Sequence, residues 1–490
     1  MAGLGGLLYG VDFGVIAAAE PYLMALGTYS GTKVSLIVGA VLIGGLISSL
    51  TAGVLCDWLG RKKTIILSAG MFLAAIPVVC LSVGCFPVLF VGRILQGMSA
   101  GYMAVAMPMY LTETLPAEIR GRGTGVFQTC LGIGLVVAAG AGCLVASLMG
   151  ASDKPGMTAE MLTAAWRANF WWTMVPVAVL FVGSLFLKES PVWKKKQEES
   201  KKRESKSGVE VEGRNLSFCA SLTSGEDTAS PLAGQPEKEV NHRSSTSTSH
   251  FDSTSSTSHF DLLQRKYVIP FLLACAVLTL NKTTGMSSFT SYLVSILQKS
   301  GFEGILANYG QLIVKLTNIF MTLVAAALID RKGRTWLLKL GTGGMAIGLF
   351  AIGGVFLAIE RFGVVAGNVT GVITLVLFFF MYCFYALGPG ICVWLVLSEL
   401  MPQRIRANGM AIALFMNQLV ACGLASSFRP WVETWGWSSM FFFFAVNGVL
   451  YFIVACFIPE TKGKTLEELE HLFDGNRKQS NNPNNRTIEQ

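Results

Sequence analysis

Apolar runs of about 20 residues, the length that crosses a bilayer core, recur along the whole 490-residue chain. They fall near 2–20, 34–56, 64–84, 87–109, 123–148, 168–187, 268–297, 308–329, 336–358, 368–396, 408–428 and 438–458. The pattern predicts an all-α membrane protein with twelve transmembrane helices. One long polar interruption divides them six and six. The predicted organisation is a six-helix bundle at 1–187, a largely disordered linker at 188–267, a second bundle at 268–458, and a tail at 459–490. The linker opens on a basic run and turns to Ser, Thr, Gly and Glu, too poor in apolar residues to bury a core. It contains a tandem nine-residue repeat, "SSTSTSHFD" (244–252) and "STSSTSHFD" (253–261), a low-complexity pattern expected of a spacer.

The two halves repeat each other in their polar turns. "YLTETLPAEIRG" (110–121) and "LVLSELMPQRIRA" (395–407) both set Glu, then Pro, then Ile-Arg, and their glutamates and arginines are each 286 residues apart. "DWLGRK" (57–62) and "DRKGRT" (330–335) share Asp and Gly-Arg at a separation of 273. The bundles are therefore expected to be pseudo-symmetric, tilting about a central site near the membrane midplane.

Composition agrees with the pattern: 52% of residues are hydrophobic and 14% charged, against about 25% charged in soluble domains. The 53 glycines suit close helix–helix approach in a membrane. The net charge of +8 does not point to nucleic acid, because the basic residues cluster in turns at 61–63, 119–122, 194–203, 330–334 and 403–406. With twelve spans all of these lie on one side. The positive-inside rule makes that side cytoplasmic, together with both termini. The 11 cysteines are scattered without metal-ligand spacing and read as small buried hydrophobes. The first apolar run lacks a cleavage site and reads as a span, not a signal peptide. No nucleophile–base set, metal site or cofactor motif is present, so an enzyme is not expected.

Charged residues inside spans demand a reason. Asp12, in "GGLLYGVDFGVI", places a carboxylate at membrane depth, at a cost of about 2.5–3.5 kcal/mol on insertion scales. Lys282 lies roughly 21 Å of helix from the start of its span, too deep to snorkel inward. It has three possible roles: an ion pair with Asp12, a contact with an anionic or strongly hydrogen-bonding substrate, or a place in the outer vestibule. At the basic side, Asp57, Arg61, Glu113 and Arg120, repeated as Asp330, Arg334, Glu399 and Arg406, can form charge-assisted pairs at helix ends. Such pairs are expected to act as a cytoplasmic latch, although basic turns are also what topology alone requires.

"GGLLYGVDFGVI", "GRILQG", "PMYLTETLPAEIRG", "GPGICVWLVLSELMP" and "PETKGKTLEEL" together resemble the sugar porter family of the major facilitator superfamily. The resemblance covers the chain apart from the linker. It implies carriage of a monosaccharide by facilitated diffusion or proton symport. Asp12 matches the first-helix acid of proton-coupled members, and Arg93 the fourth-helix arginine that pairs with it. Burial disfavours a carboxylate's charged form and a nearby Arg favours it, so protonating Asp12 would free Arg93. Gln128, Asn318, Trp394 and Asn417 match sugar-contacting positions, and amides and an indole suit sugar hydroxyls and the apolar ring face. Asn281, Lys282 and Ser287 occupy positions where the family has glutamine, glutamine and asparagine, and Gln418 replaces a tryptophan. These departures open the substrate beyond ordinary hexoses.

The expected protein is a plasma-membrane secondary transporter for a monosaccharide or related polyol. It is expected to be proton-coupled and monomeric, with the lipid bilayer, substrate and proton as its only partners. A uniporter, a carrier of an acidic sugar, and a non-transporting sensor are the alternatives. Only eleven residues precede Asp12, about 17 Å of helix, so either the start of the chain is truncated or the first helix is short.

Overall fold

A segment without water around it must bond every backbone N–H and C=O internally, which for these apolar runs means helix. A computed structural model describes residues 2–82, 84–115, 117–199, 265–401 and 406–460. Helices α1 (Ala2–Ala25), α2 (Gly31–Leu59), α3 (Arg61–Cys80), α4 (Phe86–Thr114), α5 (Ala117–Met149), α6 (Ala159–Trp171) and α7 (Met174–Leu185) form the first half. The second half contains α8 (Arg265–Thr283), α9 (Met286–Lys299), α10 (Leu306–Lys332), α11 (Arg334–Arg361), α12 (Asn368–Leu387), α13 (Pro389–Leu400) and α14 (Arg406–Phe457). Eleven helical stretches among the described residues are long and apolar enough to cross a membrane. The last, within α14, breaks at Gly436 (φ 84°, ψ 168°), so its two arms are the eleventh and twelfth crossings and the predicted twelve are all present. The Glu360 carboxylate accepts the amides of Trp437 at 2.6 Å and Ser438 at 3.2 Å and so starts the twelfth.

Residues 1–190 and 264–490 form one compact unit, and 191–263 a second. Of the second unit only 191–199 is described, and it is helical. The remainder of the predicted linker and the tail beyond 460 lie outside the described residues. So do the side chains of Arg120, Gln128, Asp330 and Arg406.

Three crossings are interrupted near mid-depth, the sixth between α6 and α7 at Trp172-Thr173. The seventh divides into α8 and α9 at Gly285, whose φ of 83° and ψ of 7° are left-handed, a conformation glycine adopts without steric cost. The tenth divides into α12 and α13 at Gly388-Pro389, because proline cannot donate to the preceding turn. Discontinuous helices put backbone polar groups where a substrate can meet them.

Small residues set the tightest contacts within the first half. A Cβ on Gly10 of α1 would stand 2.0 Å from the Leu131 carbonyl oxygen of α5, and one on Gly134 would stand 2.1 Å from that of Leu7. These helices touch backbone to backbone, as small-residue seams allow. Gly134→Val is therefore expected to lower the unfolding temperature in detergent by several degrees through overpacking. Gly140→Val, where a Cβ meets nothing within 4 Å, should leave it unchanged; equal unfolding temperatures for both variants would remove the seam from the account.

Because consecutive crossings alternate in direction, the turns fall into two layers. The basic end carries the turns near 60, 116, 333 and 402; the distal end carries those near 27, 83, 152, 303, 364 and 436. The halves meet where α1 packs on α9, α2 on α14, and α5 on α10.

Candidate functional site

Asp12 sits midway along α1 and is fully buried. Its Oδ1 lies 3.4 Å from Nη1 of Arg93 on α4. The same Nη1 donates to Gln96 Oε1 at 2.7 Å, and the guanidinium stands 5.2 Å from the Phe170 ring centre. Asp12 Oδ2 and Arg93 Nε have no hydrogen-bond partner among the described residues. The pair is thus sealed from lipid yet incompletely satisfied. A carboxylate that loses its charge in this position leaves Arg93 with Gln96 and an aromatic face.

A narrow space with room for about one water molecule lies beside this pair and between the two halves, so a larger solute enters it only once the halves part. Asp12, Phe13 and Ile16 of α1, Val38, Val41 and Leu42 of α2, and Arg93 of α4 form one wall; Ser287 and Ser291 of α9 form the other. Lys282, in the last turn of α8, donates to Ser287 Oγ at 3.3 Å. Its ammonium is therefore one hydroxyl away from the space that Asp12 faces. Among the described residues Lys282 makes no ion pair with Asp12, which removes the first of the three roles the sequence allowed it. The C-terminal end of α8 offers it about half a negative charge instead.

The other candidates are spread around the central region. Asn281 and Asn417 are buried, and Asn417 Oδ1 lacks a partner among the described residues. Asn318 is half-buried, and Trp394 on α13 is 45% exposed. Gln418 lies against α2, its Nε2 2.9 Å from where a Gly45 Cβ would be. Neither Trp394 nor the amides of α10 and α14 line the cavity between Asp12 and Ser287.

At the basic end the repeated charges pair within each half. Arg61 is buried and gives Nε and Nη2 to Glu113 Oε1 at 3.0 and 2.8 Å, and Nη1 to Asp57 at 3.1 Å and the Cys56 carbonyl at 3.1 Å. It ties α2, α3 and α4 together. In the second half Arg334 Nε is 3.4 Å from Glu399 Oε1, with both side chains about one-fifth exposed. The turns that present these arginines are also duplicates: Gly60 has φ 93° and ψ 163°, and Gly333 φ 91° and ψ 159°.

Sequence reasoning missed the acids that complete the duplication. Glu189 Oε1 accepts the Lys62 amide at 3.0 Å. Glu460 Oε1 and Oε2 accept the amides of Arg334 and Thr335 at 3.0 and 3.1 Å. Each carboxylate, just past the last crossing of its half, caps the helix that starts after the Gly turn, where free N–H groups and the dipole favour an anion. The signal was available as the paired "KES" (188–190) and "PET" (459–461).

A second set also escaped notice, at the distal end. Glu20 of α1, fully buried, accepts Arg429 Nε of α14 at 3.0 Å, while Arg429 Nη2 and Ser295 of α9 also donate to its carboxylate. Ser35 of α2 accepts from the Arg429 amide at 3.0 Å and from Tyr292 of α9 at 3.1 Å. Gln298 donates to Ser152 at 3.1 Å, and Gly304 N–H to Asp153 at 2.7 Å. Every one of these bonds joins one half to the other, so the distal end is closed. Ionisable residues within spans are a functional flag, and Glu20 and Arg429 carried it as plainly as Asp12 did.

This architecture has known counterparts. The fold matches the inward-open xylose transporter XylE from E. coli with a TM-score of 0.71 at 23% identity, covering 96% of this chain and 98% of that one. In sequence the chain is 31% identical over 477 residues to the D-xylose-proton symporter-like 2 of Arabidopsis thaliana, covering 95% of this chain and 88% of the relative. It is 29% identical to the arabinose-proton symporter of Bacillus subtilis (strain 168), covering 96% and 93%. The profile of the family described as "Sugar (and other) transporter" matches residues 1–473. With its twelve crossings, duplicated halves and central buried acid, the chain belongs to the sugar (and other) transporter family.

Proposed function

We propose that this multi-pass membrane protein carries a monosaccharide or related polyol by alternating access, and that Asp12 couples the carriage to protons. The observation that carries the proposal is the Asp12–Arg93 pair, buried in one half and facing a cavity whose far wall belongs to the other. Relatives named as xylose- and arabinose-proton symporters support the coupling. Protonation removes the charge that holds Arg93, and a pair set against the inter-half cavity transmits that change to the seam between the halves. Asn281, Lys282, Ser287, Gln128, Asn318, Trp394, Asn417 and Gln418 are the proposed substrate contacts, drawn in as the halves close on the sugar. Under the positive-inside rule the basic end and both termini are cytoplasmic, the membrane is the plasma membrane, and one chain is the working unit.

In that orientation the described arrangement is closed to the outside, and Glu20–Arg429 is the outer seal. The repeated basic-end charges are proposed as the cytoplasmic latch: Asp57, Arg61, Glu113 and Arg120 in the first half, and Asp330, Arg334, Glu399 and Arg406 in the second. Their two halves should not contribute equally. Removing one partner of a buried pair costs about 3–5 kcal/mol, whereas a partly exposed pair is worth about 1 kcal/mol or less. Arg61→Ala is therefore expected to cut counterflow and thermal stability severely, and Arg334→Ala mildly. Equal losses in the two variants would overturn this ranking.

The proposal as a whole is tested by counterflow of radiolabelled monosaccharides and polyols in proteoliposomes, followed by uptake driven by an inward proton gradient. Exchange and driven accumulation support it. Exchange without driven accumulation makes the protein a uniporter, and binding without exchange makes it a sensor.

A further inference from the structure

Arg93, Arg429, Lys282 and Lys315 are cations within the spans, and their surroundings are unequal. Arg93 and Arg429 each face a carboxylate within their own cluster. Lys282 and Lys315 do not: among the described residues neither has a carboxylate within ion-pair distance. Lys282 donates only to the Ser287 hydroxyl at 3.3 Å. Lys315, on α10 and 2% exposed, donates to Thr290 Oγ1 at 3.3 Å and to the Tyr382 hydroxyl at 3.4 Å. Its ammonium also stands 5.0 Å from the Tyr382 ring centre. One turn back on the same helix, Gln311 is buried, and neither its amide oxygen nor its nitrogen has a partner among the described residues.

Ser287 and Thr290 are three residues apart on α9, so this one helix carries a lysine contact on each of two successive turn positions. Ser287 also lines the cavity that Asp12 and Arg93 face. Asp12 and Arg93 face each other, whereas Lys282 has a hydroxyl and the C-terminal end of α8, and Lys315 two hydroxyls and a ring face. Neutral hydroxyls and a ring face compensate a desolvated ammonium poorly, and in a low-dielectric interior an unbalanced charge acts over long distances. Any proton these two lysines hold is therefore poorly balanced, and an anion entering beside Ser287, which bonds Lys282 and lines the cavity, would stabilise it. A neutral sugar brings nothing to balance it. An ammonium only donates, and its best acceptor is a carboxylate.

We propose that this site, once the halves part around it, takes a monosaccharide that bears a carboxylate, a uronate, with Lys282 as the carboxylate's partner and Lys315, held at Thr290 on the same helix, as a second group that an anion would favour in its charged form. This rests on the transport reading above and names its substrate class. It also has an electrical consequence. A proton moved with a neutral sugar transfers one positive charge, whereas a proton moved with a uronate transfers none.

The test is competition in proteoliposomes containing the full chain. Glucuronate and galacturonate are set against glucose, galactose, xylose and inositol for counterflow, and current is recorded during proton-driven uptake. The uronates are expected to compete at roughly tenfold lower concentration or better, the scale of one charged hydrogen bond, and their driven uptake should be electrically silent. Lys282→Gln should erase that preference and Lys282→Arg should retain it, while Lys315→Gln should weaken it. A neutral sugar or polyol that outcompetes both uronates in the wild type overturns the proposal. So does a uronate preference that survives in Lys282→Gln. Absence of counterflow with every compound would overturn the transport reading itself.

Discussion

Asp12→Asn is expected to abolish proton-driven accumulation and to leave exchange of substrate down its own gradient. The asparagine keeps the size of the side chain and its place beside Arg93 but cannot take up or release a proton. With one proton per substrate, a gradient of one pH unit sustains accumulation of a neutral substrate by at most about tenfold, and the variant should settle at equal concentrations on both sides. Counterflow needs only the return of the loaded carrier, so it should persist. Arg93 loses its counter-charge in this variant and keeps Gln96 at 2.7 Å, so some stability is lost with it. The double variant Asp12→Asn/Arg93→Gln removes both charges and should recover that stability without recovering accumulation. Uphill uptake at the wild-type level by Asp12→Asn would end the assignment of coupling to this residue.

The second large effect is expected at the proposed outer seal. Glu20 is fully buried and takes bonds from Arg429 and Ser295, contributed by two different helices of the other half. Opening the distal end must break all of them. Removing one partner of such a buried pair costs about 3–5 kcal/mol, and about 3 kcal/mol spent on one side of a two-state equilibrium shifts it roughly a hundredfold. Glu20→Gln and Arg429→Gln should therefore each move the population toward the outward-open state. A cysteine at Val38, buried on the cavity wall, reports this through an impermeant maleimide added outside. Labelling should speed up by roughly tenfold or more in either variant. The exchanged pair Glu20→Arg/Arg429→Glu should slow it again. Labelling that stays at the wild-type rate in both single variants would show that the seal does not depend on this pair.

What could be read in the sequence follows how local the physics is. Apolar length fixes a crossing within one segment, so twelve spans were legible. Asp12 stood out because it is a charge where a charge is costly, and Arg93 through the family resemblance. The seal was harder: Glu20 and Arg429 are 409 residues apart, and their pairing depends on how one half seats against the other, which no periodicity records. Glu189 and Glu460 were hidden differently. Both look like ordinary charges just beyond a membrane edge, and only the geometry of the Gly60 and Gly333 turns makes them caps. Lys282 was singled out by its depth and by its departure from the family's glutamine, but Ser287 as its contact required the break at Gly285 to be seen. Lys315 lay in plain view within its span and was passed over because no familiar motif surrounds it.

The placement of Glu189 and Glu460 also bears on how the protein is made. Each stands after the last crossing of its half, yet each completes the start of a helix inserted three crossings earlier. During synthesis α3 and α11 must wait with open N–H groups until residues 189 and 460 leave the ribosome. α1 waits as well, since Arg93 of α4 and the glycine seam of α5 emerge long after Asp12 has been delivered to the bilayer. Each half is thus a bracket closed by its final residue, and the nascent chain holds its most polar membrane segments unpartnered for longest. Insertion machinery that shelters early helices until later ones arrive would serve such a chain better than release of each span into lipid as it forms.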